Sequence, residues 1–259
     1  MGVVTLTTDF GTRDSYVGAM KGVLLSQAPF PFLVDISHEI PAQDVHAGAF
    51  LLSQAAREFP TGTIHLAVVD PGVGGPRRPI VVQSDDYLWV GPDNGLFSFA
   101  LDRPDAIVYE INLVELRRTP MSATFHGRDL FAPTAARLHG GLAAGDVGPR
   151  ISDPIVLDDT AVEVNAEWVQ GRVVYVDHFG NLITGINRDQ LSAGAVASGV
   201  TVQGLEDPIP VVESYDAVAK GELLAIVGST DLLEIAVRDG SAASRLALAR
   251  GAPVRVGRH

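Results

Sequence analysis

The chain has 259 residues, 46% of them hydrophobic, with a formal net charge of -12 and an isoelectric point near 4.9. This length and hydrophobic content suffice for one large or two modest domains with packed cores, and they exclude a wholly disordered chain. Nucleic acids and anionic membranes repel an acidic protein. We therefore expect a small-molecule ligand and no nucleic-acid or membrane partner.

The absence of cysteine excludes disulfides, thiolate nucleophiles and cysteine-bound metals. No charged segment leads into an apolar stretch near residue 1, and no apolar run reaches the roughly 18 residues needed to cross a bilayer. These features, together with a composition suited to a reducing compartment, lead us to expect a cytoplasmic protein.

The first 150 residues alternate strand-like apolar runs with helical periodicity. The pattern predicts a strand, helix, strand, helix and strand, in VVTLTTDFG, DSYVGAMKGVLLSQ, FLVDIS, QDVHAGAFLLSQAAREF and TIHLAVVD. Asp14 or Ser15 is the expected N-cap of the first helix, and Asp44 that of the second. This order is typical of a largely parallel sheet. Two more strands (IVVQS, YLWVG), a turn at Asn94-Gly95 and a helix in RDLFAPTAARLHG follow.

The composition changes near residue 150, where a stretch rich in proline and aspartate begins. Short β-like runs separated by glycine, asparagine and aspartate follow, as in VQGRVVYVDHFGNLITGI and LLEIAVRDGS. We predict an α/β domain at residues 1–152, a linker at 153–165 and a smaller all-β domain at 166–259.

Polar side chains follow the apolar runs where the carboxyl ends of parallel strands meet, which is where such sheets bind ligands. Asp9 could accept hydrogen bonds from a vicinal diol such as that of ribose, and a turn-forming role is equally consistent with its position. Asp70 precedes Arg77 by seven residues in VVDPGVGGPRRP. This segment could bind phosphate, form an ion pair or aim a nucleophile. It lacks the P-loop and GxGxxG patterns, so an ion pair that pins the loop is slightly favoured.

His126 precedes a predicted helix whose N-terminal amides could stabilise an anion. A lone histidine is more often structural, so a catalytic role requires Asp70 and Arg77 nearby. We interpret His38 and His46 as structural. No HExxH motif or close histidine–carboxylate pair at ligand spacing occurs, so we expect no catalytic metal.

Asp177 and Asn181 lie four residues apart around a Phe-Gly bend in the predicted β domain. Such residues usually bond their own backbone in turns. They could also hold a zwitterion, with the carboxylate accepting from an ammonium and the amide donating to a carboxylate. The residues alone leave both interpretations open.

Seven ordered segments, spread over nearly the whole chain, resemble the S-adenosyl-L-methionine (SAM) hydroxide adenosyltransferases. This family, also called SAM hydrolases, is related to fluorinases and chlorinases. The segments are TTDFG with DSYVGAMKG, VDISHEIP, FPTGTIHLAVVDPGVGGPRRPI, GPDNGLFS, TFHGRDLFAPTAA, VDHFGNLITGI and GSTDLLEIAVRDGSAA.

The resemblance implies an α/β amino-terminal domain, a β-barrel carboxyl-terminal domain and a homotrimer. In the family, SAM lies where the first domain of one subunit meets the second domain of its neighbour. The implied catalytic residues are Asp70, Arg77 and His126. The implied substrate-binding residues are Asp9 for ribose, Asp177 and Asn181 for methionine, Tyr16 and Phe125 for aromatic and loop contacts, and Ser229 and Arg238 near adenine. Asp231 and Asp239 stand where many relatives have Gly and Asn.

The implied reaction is attack of water or hydroxide on C5′ of SAM, giving adenosine and L-methionine, with SAM as the substrate and no cofactor. The halogenating relatives replace the Asp-Arg-His set and carry a serine where this chain has Gly127, so water is the expected nucleophile. The alternatives are a halogenase, a SAM or adenosine sensor without catalysis, and a metal-dependent phosphoester hydrolase.

Overall fold

The computed structural model describes residues 2–157, 162–192, 197–203 and 205–258. The chain divides into two compact units, Met1–Leu157 and Asp158–His259. Residues 158–161 of the predicted linker lie outside the described residues. At its start, the backbone N–H groups of Ile155 and Leu157 donate to Asp93 and Ser98 of the first unit, both at 2.8 Å.

The first unit contains a seven-stranded sheet. Its strands are β1 (Val3–Thr8), β2 (Phe32–Ser37), β3 (Ile64–Val68), β4 (Pro79–Ser84), β5 (Tyr87–Pro92), β6 (Ile107–Glu110) and β7 (Arg150–Ile151). Its helices are α1 (Tyr16–Gln27), α2 (Val45–Ala55), α3 (Ser98–Leu101), α4 (Leu113–Leu116) and α5 (Ala132–His139), with 3₁₀ turns at Ala56–Glu58 and Ala144–Asp146 and a π-helical turn at Gly127–Phe131.

The strand order is β2-β1-β3-β5-β4-β6-β7. The neighbours β2, β1, β3 and β5 are parallel, which confirms the predicted largely parallel sheet, and the remaining pairings are antiparallel. Only residues 85–86 separate β4 from β5, and both have positive φ, at 50° and 62°. A turn this short can join only antiparallel strands, which explains where the parallel part of the sheet ends.

The chain reverses its direction of travel across the sheet between β1 and β3. From β1 it passes through α1 to β2 on one side, then through α2 to β3 on the other side of β1. This is the topological switch point of the sheet, where the loops after the two strands diverge and leave a crevice.

The helices of the first unit begin where polar residues precede apolar periodicity. Ser15 occupies the N-cap of α1 without a side-chain cap bond, whereas the predicted Asp44 cap of α2 accepts from the Ala47 N–H at 3.1 Å. Met20 of α1 shares a buried core with Val4 and Leu6 of β1 and with α5. One face of the sheet is therefore covered by α1 and α5.

The second unit is an antiparallel β structure that confirms the predicted barrel domain. Its strands are β8 (Glu163–Val164), β9 (Trp168–Val176), β10 (Leu182–Asn187), β11 (Ala197–Val202), β12 (Leu223–Val227), β13 (Leu232–Val237) and β14 (Pro253–Arg258). Its helices are α6 (Arg188–Ser192) and α7 (Ala242–Leu246), with a 3₁₀ turn at Tyr215–Ala217.

The strand order of the second sheet is β11-β14-β9-β10-β13-β12, with β8 added beside β9. Residues 209–212 lie between the two ends of this sheet. Ile209 exchanges backbone hydrogen bonds with Val200 of β11, and Val212 donates to Ala225 of β12. The segment thus bridges both edge strands and pairs the backbone groups of Val200 and Ala225. Among the described residues of both units, no helix is long and apolar enough to cross a membrane.

His65 is a fully buried histidine on β3, on the sheet face opposite the α1 side of the core. Its ring stacks on Trp89 with centroids 4.3 Å apart, and its Nδ1 lies 2.8 Å from the Thr5 hydroxyl. Its Nε2 has no hydrogen-bond partner among the described residues. Burial lowers the pKa of His65 from 6.5 to about 4, because the charged ring would lose its hydration.

We expect this histidine to make the folded state sensitive to acid. Between pH 6.5 and 4 the unfolded chain takes up a proton at residue 65 that the folded chain does not, so the free energy of unfolding falls as the pH falls. The free energy of unfolding falls by about 1.4 kcal/mol per pH unit, and only below about pH 6.5. Its decrease from pH 7 to pH 5 is therefore about 2 kcal/mol. Urea unfolding at both pH values should show this loss in the wild type and a smaller one in His65→Gln; equal losses would contradict the assignment.

Candidate active site

The loops that leave β1 and β3 carry two of the predicted site residues to the same edge of the sheet. Thr8 at the end of β1 pairs with Val68 at the end of β3, so Asp9 and Asp70 follow neighbouring parallel strands at the switch point. Asn94, predicted only as a turn residue, donates from its side chain to the Val69 carbonyl at 2.8 Å. This bond fixes the backbone immediately before Asp70.

Asp70 and Arg77 form a buried, bidentate ion pair. The Arg77 Nε lies 3.0 Å from each carboxylate oxygen, and Nη2 lies 2.5 Å from Oδ2. The side chains are only 4% and 9% exposed. The glycines let the loop return: Gly74 has a φ of 76°, and a Cβ there would lie 2.3 Å from the Ala123 carbonyl oxygen. The predicted ion pair is present.

The same guanidinium reaches His126. Arg77 Nη2 lies 2.7 Å from His126 Nδ1. Because a guanidinium only donates hydrogen bonds, Nδ1 is the acceptor, and the neutral ring carries its proton on Nε2. His126 therefore lies close to Asp70 and Arg77, which the sequence analysis required for a catalytic role.

The electrostatic surroundings keep His126 neutral. Burial lowers the pKa of His126, and the neighbouring Arg77 cation lowers it further, while Asp70 and Asp129 act in the opposite direction. Protonation of Nδ1 would also remove the hydrogen bond from Arg77. The ring is thus held as a neutral imidazole with one defined tautomer.

Asp129 holds the segment that presents His126, and the sequence did not single it out as a site residue. Its side chain is buried and accepts from the Ser122 N–H at 2.8 Å and from the Arg128 Nε at 2.7 Å. Its backbone carbonyl accepts from Arg118 N–H at 2.7 Å. Asp129 lies in the π-helical turn that begins directly after His126. Such turns frequently occur at functional sites.

An aromatic cluster adjoins His126. The ring centroids of Tyr16 and Phe125 lie 5.2 Å apart, and Phe10 lies 5.9 Å from each. The predicted residues Tyr16 and Phe125 are thus brought together, and Phe10, which was not predicted, joins them. At Gly127 a Cβ would lie 3.1 Å from the Met20 sulfur, so a larger side chain is crowded there.

Asp9 has one carboxylate oxygen already engaged. Its Oδ2 accepts from the Gln43 N–H at 2.8 Å, and Gln43 itself has a positive φ of 67°. This bond orients the Asp9 carboxylate. Because a carboxylate can accept several hydrogen bonds, it can still accept others. The turn-forming and diol-binding interpretations are both compatible with this contact.

Arg78 points away from this set into a second ion-pair network. Its Nε donates to the buried Asp93 at 2.9 Å, and its Nη1 donates to Asp153 at 2.7 Å. The two adjacent arginines therefore have separate tasks, since Arg78 ties the end of the first unit to β5.

In the second unit, Asp177 and Asn181 form a closed local turn. Asp177 Oδ1 accepts from the Phe179 and Asn181 N–H groups at 2.9 and 2.8 Å, and its Oδ2 accepts from the Asn181 side chain at 2.9 Å. Buried Glu234 lies nearby: burial raises the pKa of Glu234, and the Asp177 charge raises it further. Tyr215 donates to Glu234 at 3.1 Å, and burial, then Glu234, raises the pKa of Tyr215 to about 12. This part of the unit carries a negative potential.

The predicted adenine-side residues lie around β13. Ser229 is in the exposed turn before this strand, and Arg238 at its end donates to the Val218 carbonyl at 2.6 Å. Asp231 and Asp239 have positive φ, at 63° and 58°. Gly and Asn adopt this backbone conformation more readily than other residues do. Within the described part of the chain, no group of three or more histidine, aspartate or glutamate side chains is arranged to hold a metal ion.

Two family models match the chain. The SAM hydroxide adenosyltransferase N-terminal domain matches residues 4–148, and the corresponding C-terminal domain matches residues 171–255. The chain belongs to the SAM hydroxide adenosyltransferase family. The two matched ranges fall within the two compact units.

The relatives that the chain resembles agree with this family, and a solved structure shares its fold. It is 39% identical over 265 residues to the (R)-S-adenosyl-L-methionine hydrolase of Thermus thermophilus (98% of each chain), and 40% identical over 263 residues to that of Salinispora tropica (98% of this chain, 97% of the other). A fluorinase from Actinopolyspora mzabensis is 26% identical, covering 99% of this chain and 97% of the other. The crystal structure of an uncharacterized conserved protein from Thermotoga maritima superposes with a TM-score of 0.91 at 36% identity, covering 98% and 100%.

The Arg77–His126 contact generates a prediction about titration. In Arg77→Met, the pKa of His126 should rise, because the cation that lowers it is gone and the unpaired Asp70 carboxylate favours the charged ring. NMR titration of the ring nitrogens measures this pKa, and in the wild type near pH 7 it should show the proton on Nε2. Arg78→Met is the matched control, which should leave the pKa unchanged; equal shifts in both variants would contradict the contact.

Proposed function

We propose that the protein is an enzyme that cleaves SAM by attack of hydroxide on C5′, releasing adenosine and L-methionine. The observation that carries this proposal is the closed Asp70–Arg77–His126 set at the carboxyl ends of the parallel strands. Support also comes from the relatives named as SAM hydrolases, which match along nearly the whole chain.

The chemistry of the substrate suits such a site. The C5′–S bond breaks with its electron pair going to sulfur, so methionine leaves as a neutral thioether and no acid is needed on that side. Hydroxide and sulfonium neutralise each other as they react, which a dry, preorganised site favours over bulk water. In-line orientation of the nucleophile is the larger effect, worth roughly 7 to 11 kcal/mol in well-oriented intramolecular reactions.

The three residues would bind hydroxide rather than act as a strong base. Asp70 accepts several hydrogen bonds from Arg77, which makes it a weak base. His126 accepts at Nδ1, so its remaining nitrogen, Nε2, donates. The Nε2–H of His126 is therefore suited to donate to the negative oxygen, while Arg77 fixes the tautomer that makes this donor available and Asp70 holds Arg77 in place.

We further propose that the (R) configuration at the sulfonium is the substrate, because the relatives are named for it. A sulfonium is pyramidal and has two configurations, which place the methyl and methionyl groups differently around the same adenosyl group. A site that orients C5′ in line with hydroxide distinguishes the two. Assays with each separated epimer test this choice.

We also propose a homotrimer, in which the Asp177 side of a neighbouring copy completes each site. The family resemblance supports this proposal. Light scattering coupled to size-exclusion chromatography should give about three times the mass of the chain, and a monomer at micromolar concentration would contradict the proposal.

The reaction is tested by incubating the purified, chelator-treated protein with SAM in ¹⁸O-water and analysing the products by mass spectrometry. We expect adenosine labelled at the 5′ oxygen together with unlabelled methionine. Bound but intact SAM would instead indicate a sensor, and a 5′-halogenated nucleoside in parallel samples with added halide would indicate a halogenase. Intact, unbound SAM together with metal-dependent hydrolysis of a phosphoester substrate in a parallel sample would favour the phosphoester-hydrolase alternative.

The roles of the three residues predict the effect of substitution. Asp70→Asn frees Arg77, and His126→Ala removes the Nε2–H donor, so each should lower kcat by about 100-fold or more. Arg78→Met, which should leave the set intact, is the control for turnover. Near-normal kcat in both Asp70→Asn and His126→Ala would contradict the assignment while leaving the overall reaction established by the ¹⁸O experiment.

A further inference from the structure

A chain of buried hydrogen bonds connects residues 9–11, here called the β1 loop, to the residues around them. The Phe10 N–H donates to the Thr8 hydroxyl at 3.3 Å, and that hydroxyl lies 2.8 Å from His38 Nδ1. Nε2 of the same ring lies 3.0 Å from the Asp35 carboxylate, which has no proton to donate, so the ring proton is on Nε2, Nδ1 accepts, and the Thr8 hydroxyl donates to it. Thr8 is fully buried and His38 is 4% exposed, so water does not compete for these bonds.

The other side of the His38 ring is tied to helix α1. With Nδ1 accepting, Nε2 carries the ring proton and makes a 3.0 Å ionic contact with Asp35 Oδ1, although the angle is not that of a hydrogen bond. The second oxygen of Asp35 accepts from Lys21 of α1 at 2.6 Å. Burial raises the pKa of Asp35, but the bonds from Lys21 and His38 outweigh it and keep the carboxylate ionised. Every group in the chain from Phe10 to Lys21 therefore has a defined donor or acceptor role.

The backbone of His38 holds the β1 loop a second time. The Gly11 N–H donates to the His38 carbonyl at 2.7 Å, and Gly11 has a positive φ of 66°. One residue further on, the Thr12 hydroxyl donates to Glu39 at 3.0 Å. The β1 loop is thus fastened to the segment after β2 through both backbone and side chains.

We propose that Thr8 and His38 are positioning residues, which hold the β1 loop so that Asp9 presents its carboxylate to a ribose diol. This inference rests on the proposed function, since it takes Asp9 as the ribose-binding acid. Hydrogen bonds of this kind add little net stability, and apolar packing could replace them in a core. These bonds instead fix the orientation of the β1 loop. This matters because a single carboxylate recognises a diol only when its oxygens lie within about 0.5 Å of the required positions.

The first test removes the hydroxyl at residue 8. Thr8→Val keeps the β-branched shape but loses both bonds, whereas Thr8→Ser keeps them. In Thr8→Val we expect KM for SAM to rise about tenfold with kcat changed less than about threefold, because diol contacts are made in both the ground and the transition state. Thr8→Ser should stay close to the wild type. Steady-state kinetics and thermal melting of each variant supply the measurements.

A substrate lacking the diol separates positioning from general damage to the fold. With 2′-deoxyribosyl SAM the contact to Asp9 is weakened in the wild type already, so Thr8→Val should raise KM by less than about threefold. Asp9→Asn should show the same dependence on the 2′-hydroxyl. An equal rise of KM for both substrates in Thr8→Val would overturn the proposal.

A second pair of variants acts at His38 in case Thr8→Val does not fold. Asn places an amide oxygen near the position of Nδ1 and can accept from Thr8, while Gln reaches the position of Nε2 and can contact only Asp35. Both remove the ring, so their melting temperatures should fall similarly. We expect His38→Asn to keep a lower KM than His38→Gln; the reverse order, or equal values, would contradict the role of the Thr8 bond.

Calorimetric binding of adenosine and 2′-deoxyadenosine distinguishes the two possible failures. If the wild type does not cleave SAM in either configuration, the proposed function fails, yet the preference for adenosine over 2′-deoxyadenosine and its loss in Thr8→Val still test the positioning role. If the wild type cleaves SAM and this preference is the same in Thr8→Val, only the positioning role fails.

Discussion

The candidate active site depends on how Arg77 divides its donors between the Asp70 carboxylate and the His126 imidazole. The carboxylate accepts from Nε and Nη2, which holds the guanidinium plane, and Nη2 then fixes the tautomer of the histidine. Because the side chains of the pair are almost fully buried, removal of either member would leave an uncompensated charge. One planar cation therefore sets the protonation and orientation of the whole set.

The sheet topology supplies the place where this set can form. Neighbouring parallel strands β1 and β3 end side by side, and the chain leaves them in opposite directions, so Asp9 and Asp70 lie at one crevice. The loop after β3 returns only because Gly74 can adopt a positive φ beside the Ala123 backbone. His126 reaches the set because Asp129 fastens the segment before the π-helical turn. The site is thus assembled from three separate stretches of the first unit.

The second unit holds two acidic side chains close together. Asp177 is oriented by its own turn, and Glu234 lies near it in a buried position where Tyr215 donates to it. The resulting negative potential suits a ligand such as SAM, which carries an ammonium and a sulfonium. The Asx-type turn and a binding role are compatible, because the bonds that close the turn also hold the carboxylate in one orientation.

The sequence by itself determined the α/β unit followed by an all-β unit, the elements of the parallel sheet and the Asp44 cap, because periodicity, turn residues and glycine spacing act locally. It only favoured the Asp70–Arg77 ion pair, and the barrel was implied by the family resemblance. It could not decide the direction of the hydrogen bond at His126, the place of Phe10 in the aromatic cluster or the roles of Asn94 and Asp129. Nor could it show that Arg77 and Arg78 belong to different ion-pair networks, or that His38 contacts Thr8. Several of those properties depend on contacts between residues distant in the chain, 30 positions for Thr8–His38, 49 for Arg77–His126 and 25 for Val69–Asn94, which only the strand register and the packing of loops bring within hydrogen-bond distance.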